Sequence, residues 1–560
     1  MLFIVLSWIY ITITCLNFGF VFRKFLNIKD CHFSIHQVLG LFLYTLITTT
    51  TAFFIRINIE YYISILILNC VLTFIFRIQI ITYFIDVYNT LKTFNKKLKV
   101  LYVLLFIIVL TQSATKPYLI DNESYYIQTI KWINEFGYVK GLANLHLFLG
   151  QNSSWHTLQA GFNFPFIANI FNDINGFIYI TLGFLFVEKL SNASHKQDFF
   201  IGLILVFSLF FMQFVNAPSP DLIIFLMAPY IVYEYLVNGD NMSASKFNIL
   251  FSSVLFLCFV KVTTIVFALL ILILFIKNFK ILKENITRYI ILSTSVLGLF
   301  LLKNLIISGH LFYPTAAFDL LSIDWKLPPE LLQLYKTGTY QSGMNDSDVS
   351  QFSFFEKLKY WLQIPKLDGV FNKLFLLLLI IFPFFILKSK AKKPLLLIYL
   401  LAVLQFTLAW LNSPQYRFFI VFIIIISLQI FIRIFKSRRI GTILIYTSLV
   451  LSAIPILVPL NLKNFTSNKY LILTSNFKFK NILIPEESTK TATTFSKENI
   501  DGFKYNSPDI DVFFWGTGNG DLPCVNKQQV DYIKDYYYYT PQLRGNNLKD
   551  GFISKPSKTK

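Results

Sequence analysis

Long apolar runs recur along this chain, separated by short polar or basic segments. A helix needs roughly 20 mostly apolar residues to cross the hydrocarbon core of a bilayer. Backbone polar groups must be paired inside that core, so a chain with many such runs is restricted to a bundle of helices. We therefore predict an all-α polytopic membrane protein with about fourteen spans. The predicted spans lie near 1–22, 36–55, 60–80, 98–114, 173–190, 198–214, 221–237, 247–260, 262–277, 288–306, 371–387, 394–411, 417–433 and 441–459.

Composition supports a membrane protein and argues against nucleic-acid binding. Hydrophobic residues make up 55% of the chain and charged residues only 14%, whereas soluble domains average about 25% charged residues. The formal net charge is +20, but the basic residues cluster between apolar runs, which is the pattern of cytoplasmic loops. We therefore expect membrane lipids, and no nucleic acid, among the partners of this chain.

Two regions depart from the simple alternation of span and loop. Lys261 separates 247–260 from 262–277, which would otherwise form one long apolar helix. The segment 157–172 is apolar but contains Pro165 and two asparagines, so we predict that it is re-entrant or interfacial.

Lysine and arginine in the short loops orient the predicted spans, because such residues are enriched on the cytoplasmic side of a membrane. When the spans alternate, the basic clusters all fall on one face: 23–29, 92–99, 277–283, 388–393 and 436–439. The chain then divides into N-terminal membrane helices (1–114), a first outer loop (115–172), central membrane helices (173–306), a second outer loop (307–370), C-terminal membrane helices (371–460) and a small soluble periplasmic domain of α/β or β type (461–560).

The first outer loop opens with the most unusual polar motif of the chain, Asp121-Asn122-Glu123-Ser124-Tyr125-Tyr126. Apolar periodicity predicts an amphipathic helix after it, ending at Gly137 or Gly141. In a structural role, Asp121 would cap the first amides of this helix. In a chemical role, a carboxylate in apolar surroundings is a candidate general base for a hydroxyl group, and two carboxylates are candidate ligands for a divalent cation.

Three basic residues at the predicted outer ends of spans are candidates for binding a phosphate group: Lys261, Lys303 and Arg417. Their alternative role is to extend towards lipid headgroups. Lys261 lies between two apolar runs, and a lysine inside a span is a functional candidate. A guanidinium such as that of Arg417 can bind phosphate oxygens through two parallel N–H groups.

The remaining candidates are polar and aromatic residues of the predicted outer face, where we expect them to bind substrate. They are Asn144, His146, Asn152, Trp155, Asp221, Tyr313, Asp324 and Trp325. Each has an alternative structural role. The aromatic residues can form the belt found at membrane surfaces, and Asp221 can begin a helix after Pro220.

The acidic motif at the outer end of an early span, followed by a surface helix, resembles the GT-C superfamily of membrane glycosyltransferases. Residues 121–126 are similar to the Asp-Glu-x-Tyr-Tyr segment of its protein-mannosyltransferase and aminoarabinose-transferase branches, with Asn122 inserted between the acids. The resemblance implies an acid in the first outer loop that acts as base or metal ligand. It also implies a basic residue near a later span that binds the donor phosphate, for which Arg417 is the best positional match.

A second resemblance covers most of the chain, and it is to a family of large bacterial membrane proteins. Its segments recur here in the same order: 141–146, 152–155, 218–221, 313–314 and 324–326. This resemblance adds little chemistry to the first.

Together with the GT-C resemblance, these residues predict an enzyme that transfers a sugar from a polyprenyl-phosphate donor to a glycan, lipid or protein acceptor. The reaction is expected at the outer face of a bacterial inner membrane. Asp121 or Glu123 would activate the acceptor or hold Mg²⁺ or Mn²⁺, and Arg417 with Lys303 or Lys261 would stabilise the departing phosphate. The alternatives are an O-antigen polymerase or ligase and a non-enzymatic glycolipid transporter.

Overall fold

The chain folds mainly into α-helices and has a small β region near its C-terminal end. The computed structural model describes residues 1–151, 153–167, 173–191, 195–239, 242–319, 321–435, 437–466, 473–474, 476–486, 489, 493–509 and 512–557. The helices are α1 (Leu2–Leu26), α2 (Phe33–Ala52), α3 (Ile59–Ile75), α4 (Arg77–Thr93), α5 (Lys96–Ser113), α6 (Ile127–Phe136), α7 (Ser154–Ala160), α8 (Ile174–Ser191), α9 (Lys196–Gly202), α10 (Ser208–Val215), α11 (Asp221–Asn238), α12 (Ala244–Val260), α13 (Val266–Lys277), α14 (Phe279–Leu282), α15 (Ile286–Ser308), α16 (Pro329–Ser342), α17 (Phe354–Gln363), α18 (Lys366–Leu387), α19 (Lys392–Asn412), α20 (Ile420–Ile434), α21 (Arg438–Leu457) and α22 (Lys527–Tyr537).

Several of these helices have the length and composition of membrane spans, which confirms the predicted helical class with several apolar, span-like helices. Within the described residues, nine helices are long and apolar enough to cross a membrane, and the bent pair α3–α4 gives a tenth if it counts as one span. Three shorter apolar helices accompany them, at Ala244–Val260, Val262–Lys277 and Ile420–Ile434. Every predicted span coincides with helical structure, and the larger number of crossings stays a prediction.

The predicted span at 60–80 is not one continuous helix, because the chain bends by 79° between α3 and α4, and a crossing of the membrane by this pair stays a prediction. The bend falls where the apolar run meets Arg77 and Gln79, polar side chains that are costly to bury in hydrocarbon. Beyond the bend, Ile80 is the buried residue of α4. Helix α4 therefore runs in a different direction and does not continue along the axis of α3.

Helices α12 and α13 are separate, at the place where Lys261 interrupts the apolar sequence. Lys261 has extended backbone angles (φ −154°, ψ 115°), and a 3₁₀ turn at Val262–Ile265 precedes α13. This break turns the Lys261 side chain towards Asp221 at the start of α11, with which it forms an ion pair.

Helices α1 and α2 pack closely against each other in the N-terminal region. A β-carbon added at Gly40 of α2 would overlap the backbone carbonyl of Cys15 in α1. Small residues at helix contacts let two backbones approach, which is a main source of helix association in membranes. The glycine at position 40 therefore sets the separation of these two helices.

We expect Gly40→Ala to destabilise the folded protein by about 1–3 kcal/mol, because α1 and α2 must move apart to accept the methyl group. The matched control is Gly298→Ala in α15, where the added carbon meets no atom within 4 Å. Alanine has the higher helix propensity, so this control should be neutral or slightly stabilising. Thermal unfolding of both variants in the same detergent measures the difference, and equal midpoints would contradict the prediction.

In the part of the C-terminal region (461–560) that the structure describes, two antiparallel strand pairs accompany one α-helix. Strands β1 (Phe495–Ile500) and β2 (Phe503–Pro508) form one pair, and β3 (Tyr539–Leu543) and β4 (Phe552–Pro556) form the other, with α22 between the pairs in sequence.

This region packs against the first outer loop. The Phe552 ring contacts the Trp132 ring of α6 edge-on at 5.6 Å. Gln128 Nε2 and Lys131 Nζ of α6 each donate a hydrogen bond to the Gly520 carbonyl at 2.8 Å. These two polar side chains of the amphipathic helix are therefore bonded to the C-terminal region and do not face water.

Candidate active site

The Asp121 carboxylate lies on the wall of a cavity of about 2160 Å³. Arg417 Nη1 donates a hydrogen bond to Asp121 Oδ2 at 2.5 Å, across a sequence separation of 296 residues. Arg417 belongs to the short turn Tyr416–Phe418, between α19 and α20. The fold thus brings together the predicted acid and the predicted phosphate-binding guanidinium.

The acidic motif has an unusual local structure. Residues Asn122–Tyr126 form one turn of π-helix, which leads directly into α6, and π-helical turns are often found at functional sites. The predicted capping role of Asp121 is wrong, because Asp121 already has helical backbone angles (φ −60°, ψ −25°) and its side chain caps no amide. A capping residue needs extended angles. The carboxylate accepts from Arg417 and, at 3.5 Å, from the Tyr126 hydroxyl.

The two acids of the motif face different surroundings. Glu123 is buried, with 5% of the residue exposed, and it is not among the described residues that line the cavity, whereas Asp121, Ser124, Tyr125 and Tyr126 are. Side chains two positions apart on a helical turn point in roughly opposite directions. Asp121 is therefore the acid with access to the cavity.

The donor set of the described residues does not fit the predicted divalent cation. Within that part of the chain, no group of three His, Cys, Asp or Glu side chains could hold a metal ion together. Asp121 Oδ2 is in contact with the Arg417 guanidinium, whose positive charge would repel a cation at the same oxygen. We therefore derive no step through a metal ion.

A second ion pair lies beside the first. Lys261 Nζ donates to Asp221 Oδ1, and the Asp221 side chain is only 4% exposed. The Phe418 ring joins the two pairs, with the Lys261 ammonium 4.9 Å and the Arg417 guanidinium 5.3 Å from its centroid. Each of these cations thus has a carboxylate partner.

Lys303 of α15 contributes a third cation to the cavity wall, and its residue exposure is 2%. Its ammonium group donates to Ser154 Oγ at 3.1 Å and lies 5.5 Å from the centroid of the Phe259 ring. Among the described residues, no carboxylate forms an ion pair with it. Because a buried charge without a counter-charge is costly, this group is suited to an anion entering the cavity.

Of the predicted substrate-binding residues, Tyr313 lines the cavity, and its hydroxyl donates to the Leu147 carbonyl at 2.7 Å. Asn152 lies outside the described residues. Trp155 is fully buried and its indole N–H donates to Asn175 Oδ1 at 2.8 Å. Trp155 is thus committed to a hydrogen bond inside the protein and is not on the described cavity wall.

His146 is also committed to internal contacts. Its Nδ1 accepts from the Phe148 amide at 3.2 Å and its Nε2 lies 3.1 Å from the Trp515 carbonyl. These partners correspond to a neutral ring with the proton on Nε2. Burial lowers the pKa of His146 to about 4, so the ring is neutral at physiological pH and joins the first outer loop to the C-terminal region.

Three further candidates contact the C-terminal region from the segments 115–172 and 307–370. Asn144 Oδ1 accepts from the Ser554 hydroxyl at 2.8 Å, and Asn144 Nδ2 donates to the Trp325 carbonyl at 2.9 Å. Asp324 Oδ2 accepts from Arg544 Nε at 2.7 Å, and the Arg544 guanidinium lies 5.0 Å from the Trp325 ring centroid. None of the three is among the described residues that line the cavity.

The contribution of the C-terminal region to the cavity was not predicted. Residues 513–515, all aromatic, line it, as does Tyr335 of α16. The signal was available in the sequence, because 513–515 are three consecutive aromatic residues in a polar tail, followed by glycines at 516, 518 and 520.

Comparison with known proteins gives one match. A family model described as Domain of unknown function (DUF8201) matches residues 1–424 of the 560. No curated protein and no solved structure matches the chain. The matched residues include both ion pairs and Lys303, and the cavity-lining aromatic residues 513–515 come after them.

Proposed function

The chain belongs to the family described as Domain of unknown function (DUF8201), and we propose that it is a membrane glycosyltransferase of the GT-C type with about fourteen spans. It transfers a sugar from a polyprenyl-phosphate donor to a glycan, lipid or protein acceptor at the outer face of a bacterial inner membrane. The observation that carries the proposal is that the buried Lys303 side chain, which forms no ion pair with a carboxylate of the described residues, lines the same cavity as the Asp121 carboxylate. One group suits an anionic leaving group and the other suits a hydroxyl nucleophile.

In the proposed reaction, the acceptor hydroxyl oxygen forms a bond to the anomeric carbon of the sugar. The bond between that carbon and the donor phosphate oxygen breaks, and the phosphate leaves with the electron pair. The hydroxyl proton passes to the Asp121 carboxylate, which acts as the general base and has no other role in the reaction. Lys303 and Arg417 stabilise the negative charge on the phosphate as it departs.

The cavity wall favours a lipid-linked donor over a water-soluble one. It includes Leu209 of α10 and Leu451 and Ile454 of α21, and these three side chains are also exposed on the outside of the helices. An apolar wall that reaches from a charged centre to the helix surface suits a polyprenyl chain, which lies in the membrane while its phosphate enters the cavity.

Binding of a polyprenyl phosphate tests the proposal without knowledge of the sugar. We expect the purified protein to bind undecaprenyl phosphate in preference to undecaprenol, and Lys303→Met to weaken binding of the phosphate by about 10- to 100-fold, because a charge-assisted hydrogen bond is lost. Native mass spectrometry of the protein released from detergent measures both.

The matched control is Lys280→Met, at an exposed lysine of α14 that is not among the described cavity residues. It should bind undecaprenyl phosphate as the native protein does. Equal binding of phosphate and alcohol, or equal binding by the two variants, would remove the basis for a phosphate-linked donor. Binding without any sugar transfer to glycan, lipid or protein acceptors would favour the transporter alternative.

A further inference from the structure

The aromatic residues of the C-terminal region form a distinct part of the cavity. Phe514 and Trp515 are half-buried and line it. The Trp515 ring contacts the Phe514 ring at 4.7 Å and the Phe148 ring at 5.0 Å, both edge-on. Four other tryptophans donate their indole N–H to protein oxygens: Trp8, Trp155, Trp325 and Trp361. The indole N–H of Trp515, like those of Trp132 and Trp410, has no such partner among the described residues.

The backbone that carries these rings is fixed to the acidic motif. The amides of Thr517 and Gly518 donate to the Glu123 carbonyl at 2.8 and 2.9 Å, and the Thr517 hydroxyl donates to the Ser124 carbonyl at 2.9 Å. A rigid backbone with partly exposed aromatic rings costs little conformational entropy when a ligand binds. These hydrogen bonds therefore hold the segment 513–518, with its aromatic rings, against the acidic motif.

A continuous set of contacts joins this surface to the proposed reaction centre. The Tyr126 hydroxyl donates to Asp121, and its ring contacts the Tyr125 ring at 4.7 Å. Tyr125 stacks on Phe148 at 5.7 Å with an interplanar angle of 15°, and Phe148 contacts Trp515. A ligand held on Trp515 thus lies along the same wall as the Asp121 carboxylate.

Uncharged polar side chains of α16 also line the cavity. They include Gln333, Thr337 and Gln341, and Gln333 Nε2 lies within 3.3 Å of Thr337 Oγ1. Tyr335 of the same helix contacts Phe148 at 5.4 Å, which places α16 beside the aromatic surface. Amide and hydroxyl groups donate and accept hydrogen bonds without requiring a charged ligand.

From this combination we infer that residues 514–515 and α16 form an acceptor subsite for a carbohydrate. A pyranose ring has an apolar face of C–H bonds, which packs on an aromatic ring, and a rim of hydroxyl groups, which amide and hydroxyl side chains can bind. The subsite selects a glycan from the three acceptor classes of the proposed function, on which this inference rests. The sugar ring on Trp515 directs the free hydroxyl of the glycan towards Asp121.

The test measures binding of acceptor-like sugars without a donor. The probes are maltotriose, cellotriose and chitotriose, and saturation-transfer NMR with the purified full-length protein detects their binding. We expect at least one trisaccharide to bind, Trp515→Ala to weaken that binding by about tenfold, and Trp515→Tyr to retain most of it.

The matched control is Tyr536→Ala, an aromatic residue of the same region that is 69% exposed and is not among the described cavity residues. It should leave binding unchanged, and thermal unfolding verifies that each variant folds. The inference is overturned if no trisaccharide binds, if Trp515→Ala binds as well as the native protein, or if a Ser/Thr-rich peptide binds through Trp515 instead. Failure of the proposed function is a separate result, because Trp515-dependent sugar binding needs neither a polyprenyl donor nor turnover.

Discussion

Replacing Asp121 with Asn should lower the rate of sugar transfer by about 10²- to 10⁴-fold, the usual contribution of a general base. The amide cannot take the proton from the acceptor hydroxyl, although it has the same size as the carboxylate. The Arg417 guanidinium would also lose the carboxylate oxygen that it contacts at 2.5 Å. The measurement is transfer of labelled sugar from a polyprenyl-phosphate donor by purified protein, with thermal unfolding as a check that the variant is folded.

Two comparisons make this result specific. Glu123→Gln changes the other acid of the motif, which is buried away from the described cavity wall, so its effect on transfer should be much smaller. Asp535→Asn changes an exposed carboxylate of α22 and should leave transfer unchanged. A folded Asp121→Asn variant with full activity, or a larger loss in Glu123→Gln than in Asp121→Asn, would refute the assignment of Asp121 as the base.

Replacing Arg417 with Ala should lower transfer by about 10²- to 10³-fold, the cost of removing one charged group that stabilises a transition state. Two effects combine in this variant: the phosphate loses a donor, and Asp121 loses its counter-charge. Arg417→Lys keeps the charge but loses the planar fork of N–H groups, so we expect it to recover only part of the activity. Steady-state kinetics of the three proteins measure the difference.

The matched control for this pair is Arg56→Ala. Arg56 also forms an ion pair with a carboxylate, that of Glu60, but both side chains are about half exposed and lie in the N-terminal region. Exposed pairs of this kind contribute little to stability, and the variant should retain full transfer activity. Equal activity of Arg417→Ala and Arg56→Ala would show that the Asp121–Arg417 contact has no part in the reaction.

The helices could be predicted from the sequence because the length and apolar character of each run are local properties of the chain. The break at Lys261 was also visible, since a lysine inside an apolar run is costly to bury. The bend at 60–80 was not predicted, because a run with Arg77 and Gln79 near its end can either continue or turn. Whether the helix continues or turns depends on the neighbouring helices, and the pattern of apolar residues in one segment contains no information about those helices.

The site was predicted only in part, for the same physical reason. The meeting of Asp121 with Arg417 followed from placing both on one face of the membrane. The sequence could not show that His146, Trp155 and Asn144 use their polar atoms on other parts of the protein. Contacts of this kind join segments far apart in sequence, so residue type and spacing do not specify them.

The bonds between Thr517 and the acidic motif have a consequence for how the protein is made. Thr517 follows Glu123 by 394 residues, so ribosomes complete the helices around Asp121 long before the segment that bonds to the Glu123 and Ser124 carbonyls. Domains form in order of synthesis, N-terminal part first. A nascent chain can therefore insert these helices while the proposed reaction centre is still incomplete, and the centre becomes complete only when the segment around Thr517 has been translated and has docked.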